Sequence, residues 1–430
     1  MRYRLGSLSL LILVLATSLP AATLSCPAAT TLEDLAVCIR TQMPGSGSNG
    51  FVAPSAAEQA DWRTVVHSML QGQCGFALPS SLAPVMEMRT FTDSANGKSY
   101  CLLMEVLDAN ANGKVDRGWG TFVVDNAATR ELSIQAPHPI SDSTSEVEAI
   151  GLFKGTNSRS YLMAGAHRDA NSGSSSCQSS YGPADAAHNV ANMFHPTNAE
   201  LMAFYGANDW TAIQWHGMAA DTCSNVDVYI SHGRNVVPLA TDKIAILRDN
   251  IVADHPAWNV FTPGTGACTL NATDNTQGRL INGVDPNSVC TTAASSYNGR
   301  FVHVEHDPGF RAASDWIHAV SVTFPAGGGS PPPDFALSVS PTSRTVNAPG
   351  GTATYTVTIA PINGFTDPVT LSVSGNPSGT TASFSPNPAT SFSTLSVVVP
   401  GSTPKGTYTL TITGVSGALT HTATASLRKK

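Results

Sequence analysis

Ala212-Ile213-Gln214-Trp215-His216 is a short apolar strand that runs straight into a histidine, and four other stretches do the same. They are Ile134-Gln135-Ala136-Pro137-His138, Leu162-Met163-Ala164-Gly165-Ala166-His167, Val228-Tyr229-Ile230-Ser231-His232 and Val302-His303-Val304-Glu305-His306. Open α/β sheets gather their chemistry where strands end. Imidazole is both the commonest metal ligand and a common general base. Strand-like and helical segments alternate over residues 131–325. This predicts an α/β class, a mixed sheet flanked by helices, with one metal-dependent site at the strand ends.

Working outward, Thr31-Leu32-Glu33-Asp34-Leu35 carries a cap residue and early acids, and Ala56 to Leu70 is a second amphipathic stretch. Both read as helices. Tyr100 to Leu107 and Gly120 to Val124 read as strands, Glu146 to Phe153 as a helix after His138, and Asp185 to Phe204 as a helix broken at Pro196. Between the first two strands, Asp108, Asn110, Asn112, Gly113 and Asp116 match the opening positions of a calcium loop, which needs side-chain oxygens at alternate positions and Gly at the sharp turn. Its twelfth position is Trp119 rather than Glu, and Asn112-Gly113 is equally a hairpin turn.

Pro325 to Asp334 holds three glycines followed by three prolines and reads as a linker, residues 325–334. Beyond it, residues 335–430 alternate strictly, as in Ala353-Thr354-Tyr355-Thr356-Val357-Thr358-Ile359 and Tyr408-Thr409-Leu410-Thr411-Ile412. Regular period-two strands with Gly/Pro turns predict an all-β sandwich. The run Asn376-Pro377-Ser378-Gly379, then Ser383 to Pro388, then Gly406-Thr407-Tyr408, resembles the immunoglobulin-like repeats appended to many secreted bacterial hydrolases. That resemblance implies an immunoglobulin-like spacer or adhesion module that contacts a cell surface or matrix.

At the other end, Arg2 and Arg4 precede the apolar run Leu8 to Leu19 and the small residues Ala21, Ala22 and Ser25, so residues 1–25 read as a secretory signal peptide. The run is too short for a comfortable membrane span, and no later segment is long enough. A faint lipoprotein box ends at Cys26, with Thr23 where Leu is expected. The resulting reading is a secreted protein, extracellular or periplasmic, whose α/β domain occupies residues 26–324. Eight cysteines without a CxxC pair favour disulfides over a thiolate zinc site, and sequential pairing (26–38, 74–101, 177–223, 268–290) is the simplest scheme. Charged residues are 12%, against roughly 25% in typical soluble domains, the net charge is −7 and no basic run lies outside the termini. The charge pattern therefore argues against a nucleic-acid partner.

The densest cluster is His138-Pro139-Ile140-Ser141-Asp142-Ser143-Thr144-Ser145-Glu146. Catalytic zinc takes three protein ligands plus water, often two His and one carboxylate. His138 with Asp142 or Glu146 supplies two, and His216 the third, with Gly217 letting backbone approach a metal or substrate. His303 and Glu305 share one strand face. His167, Arg168, Asp185, His188 and Asn189 form further polar clusters that could orient ligands, bind substrate or hold a second metal, and Arg311 or Arg168 can grip a substrate carboxylate with two hydrogen bonds.

A strand-end His, a nearby acid, a later His-Gly and a still later strand-borne Glu resemble the layout of zinc carboxypeptidases. Thr144-Ser145-Glu146 is similar to the tail of the first metal loop of phage poly-γ-glutamate hydrolases, and N-formylglutamate amidohydrolases share the layout. The carboxypeptidase pattern is His-x-x-Glu, whereas here the first acid is Asp, four residues on, so Asp142 and Glu146 both stand as the carboxylate ligand. The resemblance implies a zinc cofactor, Glu305 as catalytic base and hydrolysis of an amide bond in an extracellular peptide, poly-γ-glutamate or cell-wall peptide. Two alternatives stand beside it: a metallophosphoesterase, and a non-catalytic surface protein that uses Asp108, Asn110, Asn112 and Asp116 for structural calcium.

Overall fold

Phe301-Val302-His303-Val304 sends Val302 and Val304 into one apolar cluster and Phe301 into another, as the two-residue period of a strand requires. The same division runs through neighbouring strands and generates two cores on the two faces of one sheet. The computed structural model describes residues 22–266, 268–327, 334–362, 365–417 and 419–430. Most of the leader and the centre of the linker, residues 1–21 and 328–333, therefore lie outside the described residues.

The chain begins with β1 (Ala22–Thr23), α1 (Leu32–Thr41) and α2 (Ala56–Leu70). Both helices start at capping boxes, Thr31 with Asp34 and Ser55 with Glu58, which satisfy amide groups otherwise left unpaired. There follow β2 (Met86–Thr92), β3 (Ser99–Glu105), β4 (Leu107–Asp108), β5 (Thr121–Val124), β6 (Arg130–Ala136), α3 (Ser145–Gly155), β7 (Ser158–Met163) and α4 (Phe194–Tyr205). Then come β8 (Thr211–Gly217), β9 (Val228–Ser231), α5 (Lys243–Asp254), β10 (Val260–Phe261), α6 (Thr276–Ile281), β11 (Phe301–His306) and α7 (Ala313–Thr323).

Nine strands form one mixed sheet in the order β10-β9-β11-β8-β6-β7-β5-β3-β2. Its centre, β11-β8-β6-β7, is parallel, and β9 and β5 continue it antiparallel on either side. One core joins Ile134, Tyr161, Trp215 and Val304 to residues of α1, α3, α5 and α7. Trp215, fully buried, meets Trp316 of α7 edge-on at 4.8 Å. The other core joins Leu103, Phe122, Leu162 and Phe301 to α2 and α4. Each such side chain contributes about 1.5–3 kcal/mol on burial, which is why the strands tolerate a polar edge.

Two expectations are corrected. The helix read over Asp185 to Phe204 begins only at Phe194, and Pro196 sits in its first turn, where a missing N–H costs little. Residues 185–193 instead form turns in which side chains take backbone amides: Asp185 Oδ1 accepts from Ala187 N, Asn189 Oδ1 from Ala191 N and Asn192 Oδ1 from His195 N. Such local bonds compete with the helical ladder. Disulfides Cys26–Cys38 and Cys74–Cys101 are as expected, but the other four cysteines pair as Cys177–Cys290 and Cys223–Cys268. The loops after β7 and α6 meet at one end of the sheet, as do those after β8 and β10, whatever their distance in sequence.

Strands β12 (Asp334–Ser340), β13 (Ser343–Val346), β14 (Gly351–Ile362), β15 (Thr370–Ser374), β16 (Thr381–Ser385), β17 (Phe392–Val399), β18 (Gly406–Ser416) and β19 (Leu419–Lys429) complete the chain. They form two four-stranded sheets, β12-β14-β17-β16 and β13-β19-β18-β15, around one apolar cluster that includes Val357, Leu395, Leu410 and Leu427. Among the described residues no helix is long and apolar enough to cross a membrane.

Candidate functional site

Parallel strands deliver their carboxyl ends to the same edge. Strands β6, β8 and β11 are adjacent, with Gln135 beside Gln214 and Glu305 beside His216. His216 and Glu305 therefore leave the same face as neighbours. His303, two residues back on β11, repeats that face, and its ring centroid lies 4.5 Å from that of His216. His138 follows the end of β6, and a tight loop, closed by the Asp142 N–H on the His138 carbonyl at 2.9 Å, returns Asp142 to it. Thr144 adopts a left-handed conformation (φ 71°), which turns the chain into α3 immediately beyond. These residues line a cleft of about 250 Å³ together with Arg168, Tyr181, His188 and the segment Thr269 to Asn275.

Two kinds of spacing occur within this cluster. His138 Nδ1 and His216 Nδ1 lie 3.3 and 3.5 Å from the same oxygen, Asp142 Oδ2. These are long for N–H···O bonds, whose usual range is about 2.7–3.2 Å. They match the edge of a tetrahedron about a zinc ion, about 3.3–3.4 Å for bonds of about 2.0–2.1 Å. By contrast His138 Nε2 and His188 Nδ1 lie 3.0 and 2.9 Å from Asp185 Oδ1, true hydrogen-bond lengths. The donor atoms of three overlapping sets, His138/Asp142/His216, His138/Asp185/His188 and His216/His303/Glu305, each fall within 4.8 Å of one another.

The electrostatics divide the two ligand rings. Burial opposes charge on His138, but the carboxylates of Asp185 and Asp142 outweigh it and push the ring up to about 10. For His216 burial dominates, aided by the neighbouring charge of His303, and the ring falls to about 4. Burial would raise Glu305, yet the neighbouring His303 and His216 rings hold it below the usual glutamate value, so it is a carboxylate at neutral pH.

Beneath the cleft runs a buried amide ladder that the sequence reading missed. Asn275 donates to Gln214 at 2.6 Å, Gln214 to Gln135 at 3.1 Å and Gln135 to Asn198 at 2.8 Å. Its signal was present: a Gln in each of two otherwise apolar strands, close before the terminal His, must find partners when buried. Tyr181, which stacks on His188 at 3.6 Å, and the lining segment Thr269 to Asn275 had no comparable signal.

Several expected site residues lie elsewhere. Glu146 belongs to the first turn of α3 and faces α1, where Arg40 Nη1 is 2.9 Å from its carboxylate, so of the two acids only Asp142 reaches the cluster. Arg311 donates to the backbone carbonyls of Ser143, Met218 and His306, which leaves no free fork for a substrate carboxylate. Gly217 serves that arginine rather than a ligand: a Cβ there would lie 2.3 Å from the guanidinium carbon. His167 Nδ1 accepts from Asp169 N, and the Asn189 amide bonds to Pro183 O and Ala191 N, so both rigidify turns. Arg168 stands half-exposed on the cleft wall. In the Asp108–Asp116 loop, Asp108 accepts from Asn112 N and Gly113 N, Asn112 from Lys114 N and Asp116 from Ala109 N, while the Asn110 side chain bonds both Asn112 N and Asp116. Trp119 faces the core, with its indole N–H on Val52 O.

No protein-family model matches the chain, and no curated relative matches it. Among solved structures it is similar to domains 4 and 5 of the S-layer protein SbsC, with 21% identity, over 23% of this chain and 53% of that one, at a TM-score of 0.19. It is similar to the cell-surface-expressed chitinase ChiW from Paenibacillus sp. str. FPU-7, with 14% identity, over 30% of this chain and 12% of that one, at 0.19. The M1 domain from titin matches at 15% identity, over 22% of this chain and 95% of that one, at 0.16. The chain thus spans about half, or much less, of the first two of these structures, and at such scores none of the three bears on its fold or chemistry.

Proposed function

We propose that residues 26–324 form a secreted zinc-dependent hydrolase that cleaves an amide bond in an extracellular peptide or polymer. His138, Asp142 and His216 hold the ion and Glu305 is the general base. One observation carries the reading: two imidazole nitrogens sit at the edge length of a zinc tetrahedron from one carboxylate oxygen, in a cleft that also holds Glu305. When bound, zinc polarises a carbonyl and makes water more acidic. Glu305, already a carboxylate, would take the water proton as the oxygen adds to the carbonyl carbon, and pass it to the amide nitrogen, which leaves as the amine when the C–N bond breaks. His303 orients it from 3.5 Å. Arg168 on the wall gives an anionic substrate an electrostatic handle. The leader sequence and the four disulfides support export. The C-terminal sandwich is read as an immunoglobulin-like spacer that meets a cell surface or matrix.

The test is metal content joined to turnover. Full-length protein is titrated with zinc and offered amide and phosphate-ester substrates. One zinc per chain, and amide hydrolysis lost together with that zinc in His138→Ala, are expected. Failure of the wild-type protein to take up zinc refutes the reading, and turnover of phosphate esters alone moves it to a metallophosphoesterase.

A further inference from the structure

Asp185 Oδ1 takes three donors at once: His138 Nε2 at 3.0 Å, His188 Nδ1 at 2.9 Å and Ala187 N at 3.1 Å. The backbone amide anchors the oxygen, and the two rings approach it from different sides of the cluster. A carboxylate only accepts, so each ring must present an N–H to it. Both tautomers follow. When its ring is neutral, as metal binding requires, His138 keeps its proton on Nε2, which leaves Nδ1, the atom facing Asp142 and His216, as the one that can offer a lone pair. His188 has its proton on Nδ1, which leaves Nε2 as its remaining nitrogen for the cleft it lines. Tyr181 lies flat on the His188 ring, with centroids 3.6 Å apart and planes 2° from parallel, and prevents it from turning.

We propose that Asp185 is a positioning residue shared by two rings. Through one oxygen it aims His138 Nδ1 at a zinc ion and His188 Nε2 at the substrate. The inference rests on the metal reading above for the first ring and adds a substrate-facing group that is not a ligand. Of the roles open to Asp185 in the sequence, it selects the one behind the contacts to ion and substrate. Partners of this kind fix the orientation of a ligand ring, and losing one weakens metal binding by about 10–100-fold.

The experiment uses full-length protein in four forms: wild type, Asp185→Ala, Asp185→Asn and His188→Ala. Zinc affinity is measured by competition with a chromophoric chelator. Ring tautomers are read from long-range proton–nitrogen correlations above about pH 10, the value to which His138 is pushed. Asp185→Ala is expected to lose zinc affinity by about 10–100-fold. Asp185→Asn, which keeps an acceptor oxygen without the charge, should lie between it and wild type, and this holds even if the alanine variant folds poorly. His188→Ala should bind zinc like wild type, because the bond between Asp185 and His138 survives. The wild-type spectrum should place the His188 proton on Nδ1. Equal zinc affinity in Asp185→Ala and wild type, or a His188 proton on Nε2, overturns the inference while the metal reading stands. A wild-type protein that binds no zinc removes the metal reading and the His138 half of the inference with it, and the His188 tautomer still decides the other half.

Discussion

The two halves of this chain use the same period-two strands to opposite ends. In the nine-stranded sheet three neighbouring parallel strands finish at one edge, and their last residues bring His138, His216, His303 and Glu305 together. In the C-terminal sandwich most neighbours run antiparallel, successive ends fall on opposite edges, and the shared interior is apolar. Its one histidine, His421, is not in that interior but bonds Asp334 at 2.7 Å, where the sandwich meets α2. Strand direction, more than strand composition, decides where polar chemistry can accumulate.

This contrast can be broken most forcefully at the base. Glu305→Gln should lower kcat by about 10²–10⁴-fold with zinc still bound, and a variant as active as wild type would show that the strand-end cluster is not where turnover happens. Next, Leu395→Ala, in the core of the sandwich, should cost about 2–5 kcal/mol in the unfolding transition of that region, with zinc uptake unchanged. A matching loss at the site, followed by calorimetry and metal content, would mean that the halves are one cooperative unit. Third, joint replacement of Cys177 and Cys290 by Ser removes a crosslink spanning 113 residues. It should destabilise the α/β half by about 2–5 kcal/mol and loosen the loop that carries Tyr181, Asp185 and His188, without moving the melting of the sandwich.

The smallest effect concerns the junction. His67 of α2 touches Glu200 of α4 at 2.8 Å and lies 3.8 Å from Asp334 of β12. Burial disfavours its charge, but the neighbouring carboxylates of Asp334 and Glu200 prevail and push the ring up to about 9. Its folded value exceeds its unfolded one, so the stabilisation is complete below about pH 6.5 and fades as pH rises through about 9. Melting curves from pH 6 to pH 10 should show a decline for wild type that His67→Gln lacks. Parallel curves would remove His67 as the link between the halves.

Much of the site was legible because it depends on short-range periodicity. Strand-end histidines can be recognised from apolar runs, and His303 and Glu305 must share a face two residues apart. Asp142 could not be separated from Glu146 in this way. The choice depends on where α3 begins, and the left-handed turn at Thr144 makes Glu146 a helical residue pointing at Arg40. Arg311 was misread because a guanidinium in sequence looks the same whether it faces a substrate or three backbone carbonyls. Sequential pairing held for Cys26–Cys38 and Cys74–Cys101 but misassigned the other four cysteines, because it assumes that neighbours in sequence are neighbours in space.

By itself, then, the sequence determined the alternation of strands and helices, the separation of an all-β tail behind a Gly/Pro linker, and the set of residue types from which a metal site could be built. These rest on side-chain period and turn chemistry, which act over a few residues. Tertiary structure alone decided which acid joins the histidines, that one oxygen of Asp185 serves two rings, and which cysteines meet, because each depends on distances of a few ångströms between segments tens to more than a hundred residues apart. Only the packing of the whole sheet and its loops fixes such distances.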